Sequence, residues 1–496
     1  MAILQTQDLH FILIPFMSPS HIIPLMDLAK LLTQRPQLTV TVITTPLNAI
    51  TIQSIIDRAQ KSTHVKIGLS TVPFPAQEAG LPQGLESMEA LPSPDTWKPF
   101  FIACTMLQQP IQDLLEELQP RPSCIISSNV LPWTVKVASN LKIPRYDFQT
   151  VCCFSLLLGQ TVMRMNVDET VGSDSEPFVV PNMPDEIVIT KSQIPQETER
   201  TGGGDKKGIV DQMREAELLT RGMVVNSFYE MESKYVDAHM NMGRKVWCIG
   251  PVSLCNKDMW DKLERGKKAS IDDEDVCMKW LDSMEPSSVI YACFGSLGLG
   301  RISEAQIVEI GLGLEASNRP FIWTIKKKDL SSRVEKWLEE EKFEERVKGR
   351  GLIMRGWAPQ VLILSHPSVG GFITHCGWNS TLEAVSSGVP MITWPMFAEQ
   401  FYNEKLIVNV LKIGVRTGVE AAMKMGDVGY NEVYVSTDQL KKAIKEVMDS
   451  EEKGKRIRRR ARELRDMAKK ATEEGGSSYL NTTMLIQDVV EQLKLK

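Results

Sequence analysis

Three short stretches of this 496-residue chain put polar side chains where a strand hands over to a helix. In the first, the apolar run Leu9–Phe16 ends in the turn Met17-Ser18-Pro19-Ser20, and His21 follows at the head of a helical pattern. A helix N-terminus disfavours imidazolium, so this ring is expected to stay neutral and able to accept a proton. A lone histidine in such a turn is more often a cap or a packing residue. The second stretch runs from Trp357 to Gln400. There Val369–Thr374 reads as a buried strand, Cys376-Gly377-Trp378-Asn379 follows, and a helical pattern from Ser380 is stopped by Gly388-Val389-Pro390. The unpaired N–H groups at that helix start suit phosphate oxygens. Ser380 and Glu383 also spell a capping box, which is a structural feature first. The third is Gly295-Ser296-Leu297-Gly298-Leu299-Gly300, after the strand Ser288–Phe294 and before a helix starting near Ser303. It is not GxGxxG and has no Walker A lysine, so a phosphate loop and a plain turn fit it about equally.

Composition narrows the classes. A hydrophobic fraction of 43% with 24% charged residues is ordinary for a soluble protein, and the length favours two domains over one. Nine cysteines without a CxxC pair read as reduced thiols, so a cytoplasmic setting is expected. No Lys or Arg stands in the first ten residues to form a secretory n-region, and no apolar run reaches membrane-spanning length. A net charge of −5 does not attract nucleic acid or an anionic substrate, so any nucleotide must be held by local donors.

The elements that would position these residues follow from periodicity. Leu25, Leu28, Ala29 and Leu32 give the helix from about His21 to Leu32 a one-sided core face, and Leu38–Thr45 alternates as a strand. A βαβ opening implies a parallel sheet with ligands beyond the carboxyl ends of its strands. Cys124–Ser127 is a short strand with Ser128 next to it, and Pro144–Leu157 reads as a core strand leading into a buried helix. Gly222–Ser227 and Val246–Pro251 are further short strands, while 172–177 and 202–207 are polar loops. From Ser253 to Ile271 the chain turns polar and charged, as an interdomain linker would. Phe321–Ile325 is a strand, Lys326–Lys328 opens a charged surface segment, and Gly351–Arg355 feeds into Trp357. The basic run Lys455–Lys470 carries Ile457, Ala461, Leu464 and Ala468 at core spacing, which favours an amphipathic surface helix over a nucleic-acid tail.

Taken together, these residues resemble the plant secondary-product UDP-glycosyltransferases (glycosyltransferase family one). The resemblance covers essentially the whole chain. It rests on the box from Trp357 to Gln400 and on FMSPSHIIP, CIGPVSL, WLDSMEPSSVIYACFGS and WPMFAEQFYNEKL. It is strongest to the branch that glucosylates triterpenoids, steroids, cytokinins and flavonoids. The fold it implies is α/β, with two doubly wound Rossmann-like domains facing across a cleft (GT-B type). Residues 1–252 would bind the acceptor, 253–275 would link, 276–475 would bind the UDP-sugar, and 476–496 would return as a helix to the N-terminal domain. The implied reaction is inverting transfer of glucose from UDP-glucose to a hydroxyl of a lipophilic metabolite, with no metal, no cofactor, no nucleic-acid partner and a monomeric enzyme.

Roles carry over by position. Trp357 would stack on uracil, with Ala358 and Gln360 at base and ribose and Glu383 accepting from the ribose hydroxyls. His375, Gly377, Asn379 and Ser380 would meet the diphosphate, and Ser296 would approach it from the glycine-rich loop. Trp378, Glu399 and Gln400 would ring the sugar, the Gln favouring glucose. Ser20, in place of the family's usual Gly, would touch the sugar or cap the helix. The acceptor would lie against Met88, Phe148, Thr150, Phe154 and Ala398. His21 would be the general base, but the Asp that normally orients it is Ser128 here. Three readings follow: another carboxylate serves His21, the acceptor is acidic enough to need a weaker base, or the enzyme is slow on ordinary alcohols. Two other classes stay open. One is a catalytically weak sugar-nucleotide or small-molecule binding protein, for which Ser128 is the only support. The other is a nicotinamide oxidoreductase, against which the missing GxGxxG counts.

Overall fold

The computed structural model describes residues 8–62, 66–165, 171–195, 208–263, 265, 271–296, 302–326, 331–422 and 433–495. Its contacts divide the chain into two units, one of residues 1–151, 197–256 and 471–496, the other of 152–196 and 257–470.

The first unit is built on seven parallel strands: β1 (Leu9–Ile14), β2 (Leu38–Thr44), β3 (Ile67–Thr71), β4 (Cys124–Ser128) and β5 (Arg145–Gln149), which belong to it with the two short strands Met223–Val225 and Val246–Cys248. The order is β3-β2-β1-β4-β5, then the two short strands, so the winding reverses between β1 and β4. Every residue of β1, β4 and β5 is buried, as expected for strands covered on both faces. The helix after β1 spans Pro19–Thr33 and starts earlier than its hydrophobic pattern suggests. Pro19 suits the first turn, where its missing N–H costs nothing. Ile22, Leu25, Leu28, Ala29 and Leu32 then pack with β1, β2 and β4 in one core. The last helix, Ser477–Lys494, joins that core through Leu485, Ile486 and Val489. It is pinned by Asp488, which accepts from the Tyr146 hydroxyl at 2.8 Å and pairs with Arg221 at 3.0 Å.

The second unit carries a six-stranded parallel sheet made of Val289–Cys293, Phe321–Ile325, Gly351–Arg355, Val369–Thr374, Met391–Thr393 and Gly414–Arg416. Its winding reverses between Val289–Cys293 and Val369–Thr374, which pair directly. Residues 152–196 belong to this unit. They bring the helix Cys153–Arg164 and a small antiparallel hairpin, Pro177–Val180 with Ile187–Thr190, which begins where the polar loop 172–177 ends. Loop 202–207 lies outside the described residues. The basic run forms one helix, Glu452–Thr472, with Ile457, Ala461, Leu464 and Ala468 all buried. Among the described residues no helix is long and apolar enough to cross a membrane.

Candidate active site

In a doubly wound sheet, the two strands flanking the reversal point diverge at their carboxyl ends and leave a crevice there. Both units place their polar residues at that point. In the first unit β1 leads to His21 and β4 ends on Ser128. In the second, Val289–Cys293 leads to Gly295 and Ser296, and Val369–Thr374 leads to His375.

His21 sits in the first helical turn, its N–H donating to the Ser18 carbonyl at 3.0 Å. The ring is partly exposed, but Nδ1 is buried and has no hydrogen-bond partner among the described residues. Burial pulls its pKa down to about 4, so the imidazole is neutral at pH 7. Phe16 stands edge-on to it at 5.3 Å between ring centroids, and Phe101 stacks on Phe16 at 5.7 Å. Ser128 does not serve as the orienting partner. It is fully buried, and its hydroxyl oxygen accepts the Phe16 N–H at 2.9 Å. Two carboxylates of the first unit are committed elsewhere. Asp147 pairs with Arg145 at 2.8 Å and accepts from Gln149 at 2.7 Å. Glu89 accepts from the hydroxyls of Ser18 at 2.6 Å and Ser87 at 2.8 Å. The Ser18 hydroxyl also contacts that of the exposed Ser20 at 2.8 Å, so Ser18 gives its helix no side-chain cap.

The nucleotide side is built around the helix Trp378–Ser387. It begins three residues earlier than the capping-box spelling implied: Gly377 is its N-cap, no side chain caps it, and Ser380 lies in the first turn. Glu383 therefore faces away from a capping role. It accepts from Gln360 Nε2 at 2.7 Å and from Arg265, while the same Gln360 amide donates to Ser380 Oγ at 3.0 Å. Leaving the first-turn N–H groups without a side-chain cap keeps them for an anion.

His375 lies between two glycines. A Cβ on Gly295 would come within 2.5 Å of its ring, and one on Gly377 within 2.3 Å of Nε2. Gly295 also has φ +75°, so glycine is required there by backbone and by space. Burial, reinforced by the charge of Lys326, lowers the His375 pKa to about 4, so it too is neutral. Lys326 was read as the start of a surface segment. In fact its ammonium donates to the carbonyls of Gly295, at 2.7 Å, and Ser296, which puts a positive charge beside the glycine-rich turn.

Trp357 is half-buried, with a buried Nε1 that has no partner among the described residues, and Ala358 is buried beside it. Trp378 is buried at the first position of its helix. Gln400 is buried, and its amide oxygen accepts from the N–H groups of Met396 at 2.9 Å and Phe397 at 3.2 Å, which leaves its NH₂ to donate. Glu399 is half-buried and burial raises its pKa. Ala398, exposed with φ 51°, precedes it. Asn403 ties this segment to the turn before the helix, donating to the Cys376 carbonyl at 2.8 Å and accepting from Ser155 at 2.7 Å.

Of the expected acceptor residues, Met88 and Thr150 are half-buried. Phe148 has no exposed surface and packs in the core of the first unit instead of lining a pocket, and Phe154 is likewise fully buried. Their aromatic character signalled a core strand and helix. The aromatic groups near His21 are Phe16 and Phe101, which the sequence reading did not single out; the Phe100-Phe101 pair in an apolar helical stretch was the available signal.

Comparison with known proteins bears on this geometry. Residues 225–467 match the profile of the "UDP-glucoronosyl and UDP-glucosyl transferase" family, and residues 7–254 match "Glycosyltransferase, N-terminal domain". The chain is 48% identical to UDP-glycosyltransferase 73C3 of Arabidopsis thaliana over 492 residues, covering 99% of this chain and 98% of that protein. The chain belongs to the UDP-glycosyltransferase family. UDP-glycosyltransferase 73C25 of Barbarea vulgaris is similar at 47% identity, over 98% of this chain and 97% of that one. The solved structure of Glycyrrhiza uralensis UGT73P12, complexed with glycyrrhetinic acid 3-O-monoglucuronide, superposes with a TM-score of 0.89 at 35% identity, covering 99% of this chain and 97% of that one. Arabidopsis thaliana UGT89C1, complexed with UDP-L-rhamnose, gives 0.73 at 28% identity, covering 98% of this chain and all (100%) of that one. The fold is thus the GT-B type of plant UDP-glycosyltransferases, and this UDP-glycosyltransferase is an enzyme that uses a UDP-sugar donor.

Proposed function

We propose that this UDP-glycosyltransferase transfers glucose from UDP-glucose to a hydroxyl of a lipophilic plant metabolite, inverting the donor to a β-glucoside. His21 takes the acceptor proton as the oxygen attacks the anomeric carbon, and UDP leaves from the opposite face. The observation that carries this reading is the state of His21: it is neutral, partly exposed and set at the carboxyl end of β1. A neutral imidazole is the form that accepts a proton. The sugar held by the second unit must reach the oxygen activated on the first, so bound geometry supplies much of the rate.

On the donor side, Trp357 stacks on uracil, and Ala358 and Gln360 meet base and ribose. Glu383 takes the ribose hydroxyls, and Ser296, His375, Gly377, Asn379 and Ser380 hold the diphosphate. The uncapped helix start and Lys326 favour the charge that develops on the leaving UDP. Trp378, Glu399 and Gln400 ring the sugar, and Gln400 donates through its NH₂, a group suited to a glucose hydroxyl. The half-buried Phe101, stacked on the buried Phe16 that stands edge-on to His21, favours a polycyclic or phenolic acceptor, as does the ligand held by the Glycyrrhiza uralensis relative. The residues proposed here call for no metal and no cofactor beyond UDP-glucose, and a monomer suffices.

The test is UDP release by purified protein with UDP-glucose and panels of triterpenoids, steroids and flavonoids. Glucoside formation that survives His21→Ala unchanged would overturn the mechanism. Absence of turnover with every acceptor, UDP still bound, would favour the second reading of a weak sugar-nucleotide binding protein. That reading draws on Ser128 in the orienting position and on the Nδ1 of His21, which has no partner among the described residues.

A further inference from the structure

The charged stretch that reads as an interdomain linker reaches the nucleotide side of the second unit. Its helix Met259–Leu263 packs against the helix Gln360–Leu364, and two residues further on Arg265 pairs with Oε1 of Glu383. The partners are 118 residues apart in the chain. Their side chains are only 9% and 7% exposed, so this is a desolvated ion pair, not a surface contact. The other oxygen, Oε2, accepts from Gln360 Nε2 at 2.7 Å.

An ionised carboxylate offers about four lone-pair sites, and these two donors take one on each oxygen. One acceptor site per oxygen is left, the arrangement that a vicinal diol can use. A buried carboxylate without a cation is costly, and a Glu side chain relieved of its partners swings or neutralises. Charge-assisted pairing to a guanidinium holds it still.

We propose that Arg265 is a positioning residue for the donor: it fixes Glu383 so that the carboxylate's remaining lone pairs meet the 2′- and 3′-hydroxyls of the nucleotide ribose. The proposal rests on the reading of Glu383 as the ribose acceptor. It makes Arg265, from the charged stretch before the second sheet, part of the nucleotide site.

The experiment is calorimetric titration of the full chain with UDP and with 2′-deoxy-UDP, for wild type, Arg265→Ala, Arg265→Lys and Glu383→Ala. Wild type should prefer UDP. In Arg265→Ala, UDP affinity should fall about tenfold while 2′-deoxy-UDP falls much less, so the preference shrinks towards one. Arg265→Lys, which keeps the charge, should recover part of the preference. A purely structural Arg265 would weaken both nucleotides equally and leave the ratio untouched, which overturns the proposal. Tighter UDP binding in Arg265→Ala overturns it too, because Arg265 would then be a competitor that the ribose must displace. Glu383→Ala separates the two levels. If it abolishes the preference and Arg265→Ala does not, the positioning role alone fails. If Glu383→Ala leaves the preference intact, the ribose reading of Glu383 fails and takes the proposal with it.

Discussion

Ser128→Asp is the sharpest test of how His21 works. In the wild type Nδ1 of His21 is buried with no partner among the described residues, and the pKa is about 4. Two handicaps follow for a base. A low pKa makes it a weak proton acceptor, and nothing fixes the tautomer with the lone pair towards the acceptor. A carboxylate within hydrogen-bond reach raises a histidine pKa by roughly 1–3 units. With a Brønsted slope of about one half, that gives roughly 3- to 30-fold in kcat. Tautomer control adds to this; in serine proteases, neutralising the orienting Asp costs about 10⁴ in turnover. The substitution also carries a stability cost. The Ser128 hydroxyl accepts the Phe16 N–H at 2.9 Å, and a buried carboxylate must keep that bond while bearing charge. A loss of about 1–3 kcal/mol is expected.

The assay is initial-rate UDP release from about pH 5 to about pH 9, with an aliphatic alcohol and a phenol as acceptors. The gain should be larger for the alcohol, whose proton is harder to remove. The acid limb of kcat/KM should move up from about 4 towards neutrality, because that limb reports the base in the free enzyme. Ser128→Asn, which can accept a hydrogen bond but has no charge, should give the orientation effect without the shifted limb. An Asp variant that folds, binds UDP normally and shows neither a faster alcohol reaction nor a moved limb would refute the reasoning.

Four further outcomes are expected. His21→Ala should cut kcat by about 10²- to 10⁴-fold with UDP affinity unchanged, as read by turnover and calorimetry. Gly377→Ala, whose new Cβ would sit 2.3 Å from His375 Nε2, should displace that ring and weaken UDP binding by about tenfold or more, with circular dichroism intact. Gln400→Leu removes the acceptor for two backbone N–H groups and should cost about 2–4 kcal/mol in urea unfolding, beyond any effect on sugar choice. Stability should fall as pH drops from about 6.5 towards 4, because His21 and His375 hold folded pKa values of about 4, below the unfolded value of 6.5. In that window the unfolded chain binds protons the native state refuses, a loss of at most about 3 kcal/mol per ring and less for partly exposed ones. A urea midpoint that is unchanged or higher at pH 4.5 than at pH 7 would contradict this.

The sheet architecture was legible because buried parallel strands spell themselves as short apolar runs. Phe321–Ile325 and Val369–Thr374 appear with the bounds their patterns suggest. Helix starts were less legible. Ser380 and Glu383 have the spacing of a capping box, yet the helix begins at Trp378, because Gly377 supplies the turn and Glu383 is drawn to Gln360 and Arg265. Local spacing cannot register a partner 118 residues away. The same limit hid Lys326, whose ammonium closes on the carbonyls of the Gly295 turn, and turned Arg265 into one charge among several in a polar stretch. Phe148 failed for the opposite reason: an aromatic residue on a fully buried strand looks the same in sequence whether its ring meets a ligand or a core.

Under the proposed mechanism the two histidines would let a chain of net charge −5 hold an anion on one unit and run a base on the other. Both rings are kept neutral by burial, but the neighbours differ. His375 is walled by Gly295 and Gly377, with Lys326 at the same turn, so the fixed positive charge there is an ammonium and the adjacent helix N-terminus adds partial charge. Protonating His375 would set a second cation against the first. In the proposed donor site its useful state is therefore the uncharged one, donating a hydrogen bond while Lys326 carries the charge. Among the described residues His21 has no cation in that role and no hydrogen-bond partner on Nδ1, and Phe16 stands edge-on to its ring. An imidazole against hydrocarbon stays neutral without help but gains nothing when it takes a proton. The acceptor must then supply what the missing carboxylate does not, through a hydroxyl more acidic than an ordinary alcohol's. Under the proposed mechanism the chemistry of Ser128 thus bears on which acceptors this enzyme would use fastest, and predicts phenols ahead of aliphatic alcohols at equal binding.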